Sequence, residues 1–161
     1  MRYALAGMRV ELDDRLRAEF GVEGGWWLAV RHRLRWSEVD AFAHANHTTY
    51  LEWYEDLRIR YMAECGLPLR METPGCVLAR IAVEYLTPLR FEDEVLVTAR
   101  VASFRRTSFR MDYATWRQGC VNRADGLLVM MINATGEKVP IPESAKQVMT
   151  LRDGAKFEPT A

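Results

Sequence analysis

HTTYLEWYEDLRIRYMAECG, residues 47–66, carries the periodicity around which the rest of the chain is arranged. Tyr50, Trp53, Tyr54, Leu57, Tyr61, Glu64 and Cys65 recur at steps of three and four, while Glu52, Asp56 and Arg60 fall off that stripe. This spacing predicts one long amphipathic helix, stopped at Gly66 with Pro68 beyond it. On both sides of the helix the period changes to two. Upstream, residues 26–36 alternate, with Leu28, Val30, His32 and Leu34 on one face and Ala29, Arg31, Arg33 and Arg35 on the other, as in a half-buried strand. Downstream, Val77 to Tyr85, Val95 to Val101 and Phe109 to Thr115 alternate in the same way. Residues 120–134 end in the unbroken apolar run Leu127 to Ile132, which reads as a strand covered on both sides, with Asp125-Gly126 a bulge or bend inside it.

Strand, long helix and four strands give an α+β fold in which a five-stranded antiparallel sheet wraps one central helix. One helix covers one face of a sheet, so the other face and the edges call for further partners, and the chain is expected to form a homo-oligomer, dimer or tetramer. Leu12, Leu16 and Phe20 at i, i+4 and i+8 predict a short extra helix ending near Gly21. The expected organisation is an N-terminal helical extension over residues 1–25, the main domain over 26–150 and a tail over 151–161, with residues 140–150 leading into a short terminal segment.

At 161 residues the chain is one domain. Lys plus Arg and Asp plus Glu are both 22, so no net field recruits nucleic acid or an anionic membrane. The cations are 19 Arg and 3 Lys, a bias toward forked donors that suit phosphate and carboxylate. Cys65, Cys76 and Cys120 are odd in number and lack C-x-x-C spacing, which argues for a reducing compartment over a disulfide framework or a zinc knuckle. No apolar run approaches the ~18 residues of a membrane span, and the N-terminus lacks the apolar core of a signal peptide. The expected location is the cytoplasm.

The densest polar cluster is the loop from Trp36 to His47, which leads directly into the helix. Free N–H groups at a helix start hold an oxyanion or polarise a carbonyl, and Asp40 lies a few residues upstream of the amide at His47. The same residues also fit simple capping by Asn46 or Thr48 beside a solvated acidic loop, and spacing alone leaves both readings open. His44, His47 and Asp40 lack the i, i+4 spacing and the further ligands of a zinc site, so no metal is expected. There is no G-x-S-x-G elbow, G-x-G-x-x-G turn or P-loop, and no cofactor is expected.

The block Arg35-Trp36-Ser37-Glu38-Val39-Asp40-Ala41-Phe42-Ala43-His44-Ala45-Asn46, followed by Tyr50-Leu51-Glu52-Trp53-Tyr54-Glu55, resembles the signature of the 4-hydroxybenzoyl-CoA thioesterase family of hotdog-fold proteins. That signature reads aromatic-x-acid-x-Asp-x-x-Gly-His-Val-Asn-Asn-x-x-Tyr. Residues 83–95, which contain Thr87-Pro88 and Glu92-Asp93, are similar to the family's second-strand corner, and Pro140-Ile141-Pro142-Glu143 to its ending. The resemblance spans about residues 29–144. It implies a hotdog fold whose sites lie at a subunit interface, with Asp40 as nucleophile or general base and the His47 backbone amide donating to the thioester oxygen. In a related branch a histidine stands at the position of His47, which implies a side-chain contribution there. Asn46 falls within the same catalytic block. Two departures stand out. The family's glycine is Ala43 here, where a positive φ is less comfortable, and Trp36 replaces a tyrosine found in that branch.

These features predict an acyl-CoA thioesterase that releases free acid and CoA. The alternatives are a non-catalytic hotdog that binds an acyl thioester, and a lyase or dehydratase of the same fold. Arg105 and Arg106, beside Thr107 and Ser108 at a strand junction, are the first candidates for holding the CoA phosphates, with Arg90 second.

Overall fold

The computed structural model describes residues 7–67 and 73–159, so Pro68 and the outermost residues of both termini lie outside the description. The elements in chain order are β1 (Met8–Val10), α1 (Asp14–Phe20), β2 (Leu28–Arg33), a 3-10 turn (Trp36–Glu38), α2 (His47–Glu64), β3 (Gly75–Tyr85), β4 (Glu94–Phe104), β5 (Ser108–Trp116), β6 (Cys120–Ile132), β7 (Glu137–Lys138), α3 (Glu143–Asp153) and β8 (Lys156–Phe157). The sheet runs β1-β2-β4-β5-β6-β3. Its five long strands are antiparallel and enclose α2, as expected. Three short strands are added to them: β1 on the edge of β2, β7 on β6, and β8 parallel to the end of β4.

The inward faces read from the alternation hold in β2, β4 and β5, whereas in β3 the register shift between Leu78 and Arg80 turns Cys76 and Leu78 toward the core and leaves Val77 exposed. Leu28 and Val30 of β2, Val97 of β4, Phe109 and Tyr113 of β5 and Leu128 of β6 pack with Trp53, Tyr54, Leu57 and Tyr61 of α2 in one core. Two assignments around the helix change. Glu64, read on the stripe, is exposed and pairs with Arg9, whereas Asp56, read off it, is buried, because a sheet that wraps a helix covers more of its circumference than a one-sided stripe. The helix ends as predicted: Gly66 has φ 73, and the Leu67 N–H reaches back to the Met62 carbonyl.

β6 is one continuous strand through Asp125-Gly126, but the irregularity lies in its partner. The register shifts in β3 between Leu78 and Arg80, while Gly126 itself pairs with Ile81 and Met111. A side chain at Gly126 would stand 3.3 Å from the Tyr113 ring, so glycine serves a close approach there, not a bend.

The N-terminal extension lies against the outer face of the sheet. Its helix α1, capped by Asp13 and ended by Gly21 at φ 65, places Phe20 with Val22 against Leu96, Ala114 and Trp116. The C-terminal segment corrects the expected boundary at 151, which falls inside α3. Asp153, in the last turn of that helix, accepts from the Tyr61 hydroxyl (2.5 Å) and the Val101 N–H (2.8 Å), tying α3 to both α2 and β4.

Candidate active site

The 3-10 turn places Glu38 under the loop with its carboxylate 5% exposed. It accepts from His32 Nε2 of β2 (2.9 Å), Trp53 Nε1 of α2 (3.0 Å), the Arg35 N–H (2.7 Å) and the Arg35 guanidinium (2.7 Å). Burial pushes this carboxyl up, but the donors from His32, Arg35 and Trp53 outweigh it and hold it at about 2. The Glu38 carbonyl in turn accepts from the Asn46 N–H (2.9 Å) and the Thr49 hydroxyl (3.2 Å). One residue therefore fixes both ends of the loop, the strand it leaves and the helix it enters.

Between these ends the chain makes a tight turn around Asp40. The Asp40 N–H donates to the His44 carbonyl (2.8 Å), and the Ala43 N–H to the Asp40 carbonyl (3.0 Å). Asp40 Oδ1 accepts from the N–H of Phe42 (2.8 Å) and of His44 (3.4 Å), while Oδ2 has no hydrogen-bond partner among the described residues. Ala43 has φ 60. The chain thus keeps the left-handed conformation that glycine supplies in the family signature, at a cost of about 1 kcal/mol for a residue with a Cβ.

Asn46 is the N-cap of α2. Its Oδ1 accepts from the Thr48 N–H (3.0 Å) and hydroxyl (2.9 Å), so its side chain is engaged in capping. The Thr49 N–H is satisfied by the Asn46 carbonyl. The remaining amide of the first turn, the His47 N–H, has no acceptor among the described residues and lies at the positive end of an 18-residue helix. A half-buried carboxylate and a helix-start amide with no acceptor among the described residues thus stand seven residues apart in one loop, groups of the kind that activate water and polarise a carbonyl.

The arginines divide. Arg90 belongs to the β3–β4 connection beside the loop, where the Leu89 carbonyl accepts from the Ala45 N–H (2.8 Å). Arg105 and Arg106 follow β4 at its other end, roughly 30 Å away in the same chain by strand rise, and Arg105 pairs with Glu158. Glu38 and Tyr85 are two residues whose place sequence reasoning did not find. The Tyr85 hydroxyl donates to the His47 carbonyl (3.3 Å), bringing the end of β3 to the helix start. The acid in the family signature was the only available signal for Glu38, and nothing local pointed to Tyr85. Beside this junction a groove of about 530 Å³ opens between α2 and β3, lined by Thr48, Leu51, Arg58, Cys76, Leu78 and Ile81 among others. Among the described residues, no cluster of three or more His, Cys, Asp and Glu could hold a metal ion, and no helix is long and apolar enough to cross a membrane.

The sequence profile of the thioesterase-like superfamily matches residues 34–149. A solved structure described as thioesterase superfamily, from Jannaschia sp. CCS1, is 27% identical with a TM-score of 0.82, covering 92% of this chain and 95% of that one. A thioesterase of Thermus thermophilus, solved in complex with coenzyme A and Zn, is 28% identical with a TM-score of 0.72, covering 82% of this chain and 98% of that one. A 1,4-dihydroxy-2-naphthoyl-CoA thioesterase of Synechocystis shares the fold at 14% identity, with a TM-score of 0.70 over 81% of this chain and 98% of its own.

Proposed function

The chain belongs to the thioesterase-like superfamily and has the hotdog fold, and from that premise we propose that it hydrolyses an acyl-CoA to the free acid and CoA, with Asp40 and the His47 backbone amide carrying the reaction. The observation that supports this reading is the loop that leads from one to the other: Asp40 Oδ1 is held by two backbone N–H groups, Oδ2 has no partner among the described residues, and α2, seven residues on, begins with an amide that has no acceptor among them.

In this reading the thioester oxygen accepts from the His47 N–H, which favours the charge that grows on it as the carbonyl becomes tetrahedral. Asp40 takes a proton from a water molecule as that water attacks the carbonyl carbon. Collapse of the tetrahedral species breaks the carbon–sulfur bond, and the proton on Asp40 passes to the departing thiolate. A thioester is electrophilic enough that one positioned base and one or two oriented donors suffice. The groove between α2 and β3 receives the acyl group.

The active form is a homodimer or a larger homo-oligomer. β3 ends the sheet with an open edge of 11 residues, and Val77, Tyr85 and Leu86 expose apolar surface on and beside it. Cys65, Cys76 and Cys120 are all free thiols, which fits a cytoplasmic location.

Two substitutions test the reading with a thiol-release assay on an acyl-CoA panel. Asp40→Asn removes the base at constant size. His47→Pro removes the amide proton donor together with the imidazole while sparing the helix, since proline is well tolerated at the first helical position and Asn46 is already extended at φ −60, ψ 139, and His47→Asn removes the imidazole alone. Asp40→Asn and His47→Pro are each expected to lower kcat by about a hundredfold or more, the usual effect of deleting one oxyanion donor or a base. Near wild-type kcat in either of these two overturns the assigned role.

A further inference from the structure

Arg58 is a buried charge that the assigned reaction leaves unused. Its side chain, 10% exposed, lines the groove between α2 and β3. Among the described residues one carboxylate meets it, that of Glu55, through a single Nη at 3.2 Å. Glu55 is itself 60% exposed, so water weakens the pair, and a buried guanidinium with five N–H donors is served by one oxygen. The Tyr113 hydroxyl of β5 is buried near the same guanidinium and has no hydrogen-bond partner among the described residues. Burial pushes this phenol up to about 12 against the pull of Arg58, and burial raises the Cys76 thiol against the same pull, so both stay protonated at neutral pH. A fixed positive charge and a neutral O–H donor thus meet at one end of the groove.

The groove ties these groups to the assigned reacting atoms. Thr48, at one end, follows His47 and its amide, and Arg58 lies eleven residues along the helix from His47, about 16 Å by helical rise. Helical side chains lean toward the N-terminus, which brings the guanidinium closer than that. Between the ends Leu51, Leu78 and Ile81 give apolar walls, while Glu52 and Glu55 stand exposed at the rim and the Glu52 charge acts on Arg35 outside the groove. We infer that the acyl group of the substrate ends in a carboxylate, with its chain against Leu51, Leu78 and Ile81 and its terminal oxygens on Arg58 and the Tyr113 hydroxyl. The guanidinium fork matches a carboxylate, and its desolvation is already met by the fold. The ligand carboxylate takes the place of Glu55, which turns to water. A terminal methyl group instead leaves the donors facing an apolar group, which is how a polar site rejects an apolar analogue. This inference rests on the acyl-CoA reading and names its substrate class.

The test measures thiol release from pairs of acyl-CoA substrates of equal chain length, one ending in a carboxylate and the other in a methyl group, over a series of lengths. Wild-type kcat/KM is expected to favour the carboxylate member by about tenfold or more at the best length, the usual effect of a hydrogen bond to a charged group. Arg58→Met, which keeps the length of the side chain without its charge, is expected to abolish that preference, and Tyr113→Phe to reduce it several-fold. Glu55→Gln removes the competing carboxylate and is expected to raise the preference, an effect that a purely structural ion pair would not give. Wild-type protein with no preference at any length overturns the proposal without recourse to a variant. A preference that survives in folded Arg58→Met overturns it too, as does a fall in that variant's oligomer mass by light scattering, because Arg58 then serves a contact between copies. Calorimetric titration with the same pairs separates this inference from the reading beneath it. Tighter binding of the carboxylate member without thiol release overturns hydrolysis and keeps the assignment of Arg58, while thiol release without preference overturns that assignment alone.

Discussion

Glu38→Gln isolates the residue on which the loop is hung. In the native protein the Glu38 carboxylate receives four hydrogen bonds from His32, Trp53 and Arg35, all between 2.7 and 3.0 Å. Glutamine keeps the volume but replaces one acceptor oxygen with an NH2 group, so at least one of these donors faces another donor in a buried site. The depression of the carboxyl from 4.5 to about 2 sets the scale: at about 1.4 kcal/mol per unit it corresponds to about 3 kcal/mol. A carboxyl held down in the folded state contributes that stability above pH ~4.5 and loses it as the pH falls toward ~2. Glu38→Gln should therefore destabilise by about 2–3 kcal/mol at pH 7 in urea unfolding at fixed protomer concentration. The gap from wild type should narrow by about 2 kcal/mol at pH 3. A loss below about 0.5 kcal/mol at pH 7, or a gap independent of pH, would refute the clamp.

Asp40→Asn should leave the urea midpoint within the error of wild type while abolishing most thiol release, since Oδ1 can still accept from the Phe42 and His44 amides as an amide oxygen; a large stability loss would make Asp40 a structural residue. His47→Asn retains the backbone N–H and should keep most of kcat, in contrast to His47→Pro; equal loss in the two would move the contribution to the imidazole. Ala43→Gly should fall within about 1 kcal/mol of wild type because relief at φ 60 is offset by greater unfolded-state freedom. Ala43→Val should be clearly less stable and less active, as measured by thermal unfolding and turnover. Light scattering at micromolar concentration should give at least a dimer mass, and a monomer would remove the proposed pairing through β3.

The periods of the sequence were sufficient for the wrapped helix because burial on one side is a local property of spacing. Tyr50, Trp53, Tyr54, Leu57 and Tyr61 cannot all face water, and alternation in β2 to β5 already assigns Leu28, Val97 and Tyr113 to the same interior. The loop could also be located, since Asn46 and Gly66 bracket the helix and place Asp40 just ahead of its first amide. The turn itself was legible only through the family signature, which has a glycine where Ala43 stands; the residue itself carries no sign of φ 60, which is imposed by hydrogen bonds between Asp40 and His44. α3 escaped notice because its buried contribution is small, with Ala145 and Met149 its buried residues and Asp153 finding partners on two distant elements.

Glu38 marks the same boundary most clearly. By its neighbours in sequence it is one acid among 22 acidic residues in a polar loop, and a solvated position is its ordinary place. Only the closure of β2 and α2 over it delivers His32 from six residues upstream and Trp53 from fifteen downstream to one carboxylate. The sequence by itself determined which faces had to be buried, because burial follows from periodicity along one element. Which polar groups meet inside was decided by the tertiary structure, because a buried charge is tolerated only where donors from separate elements converge on it.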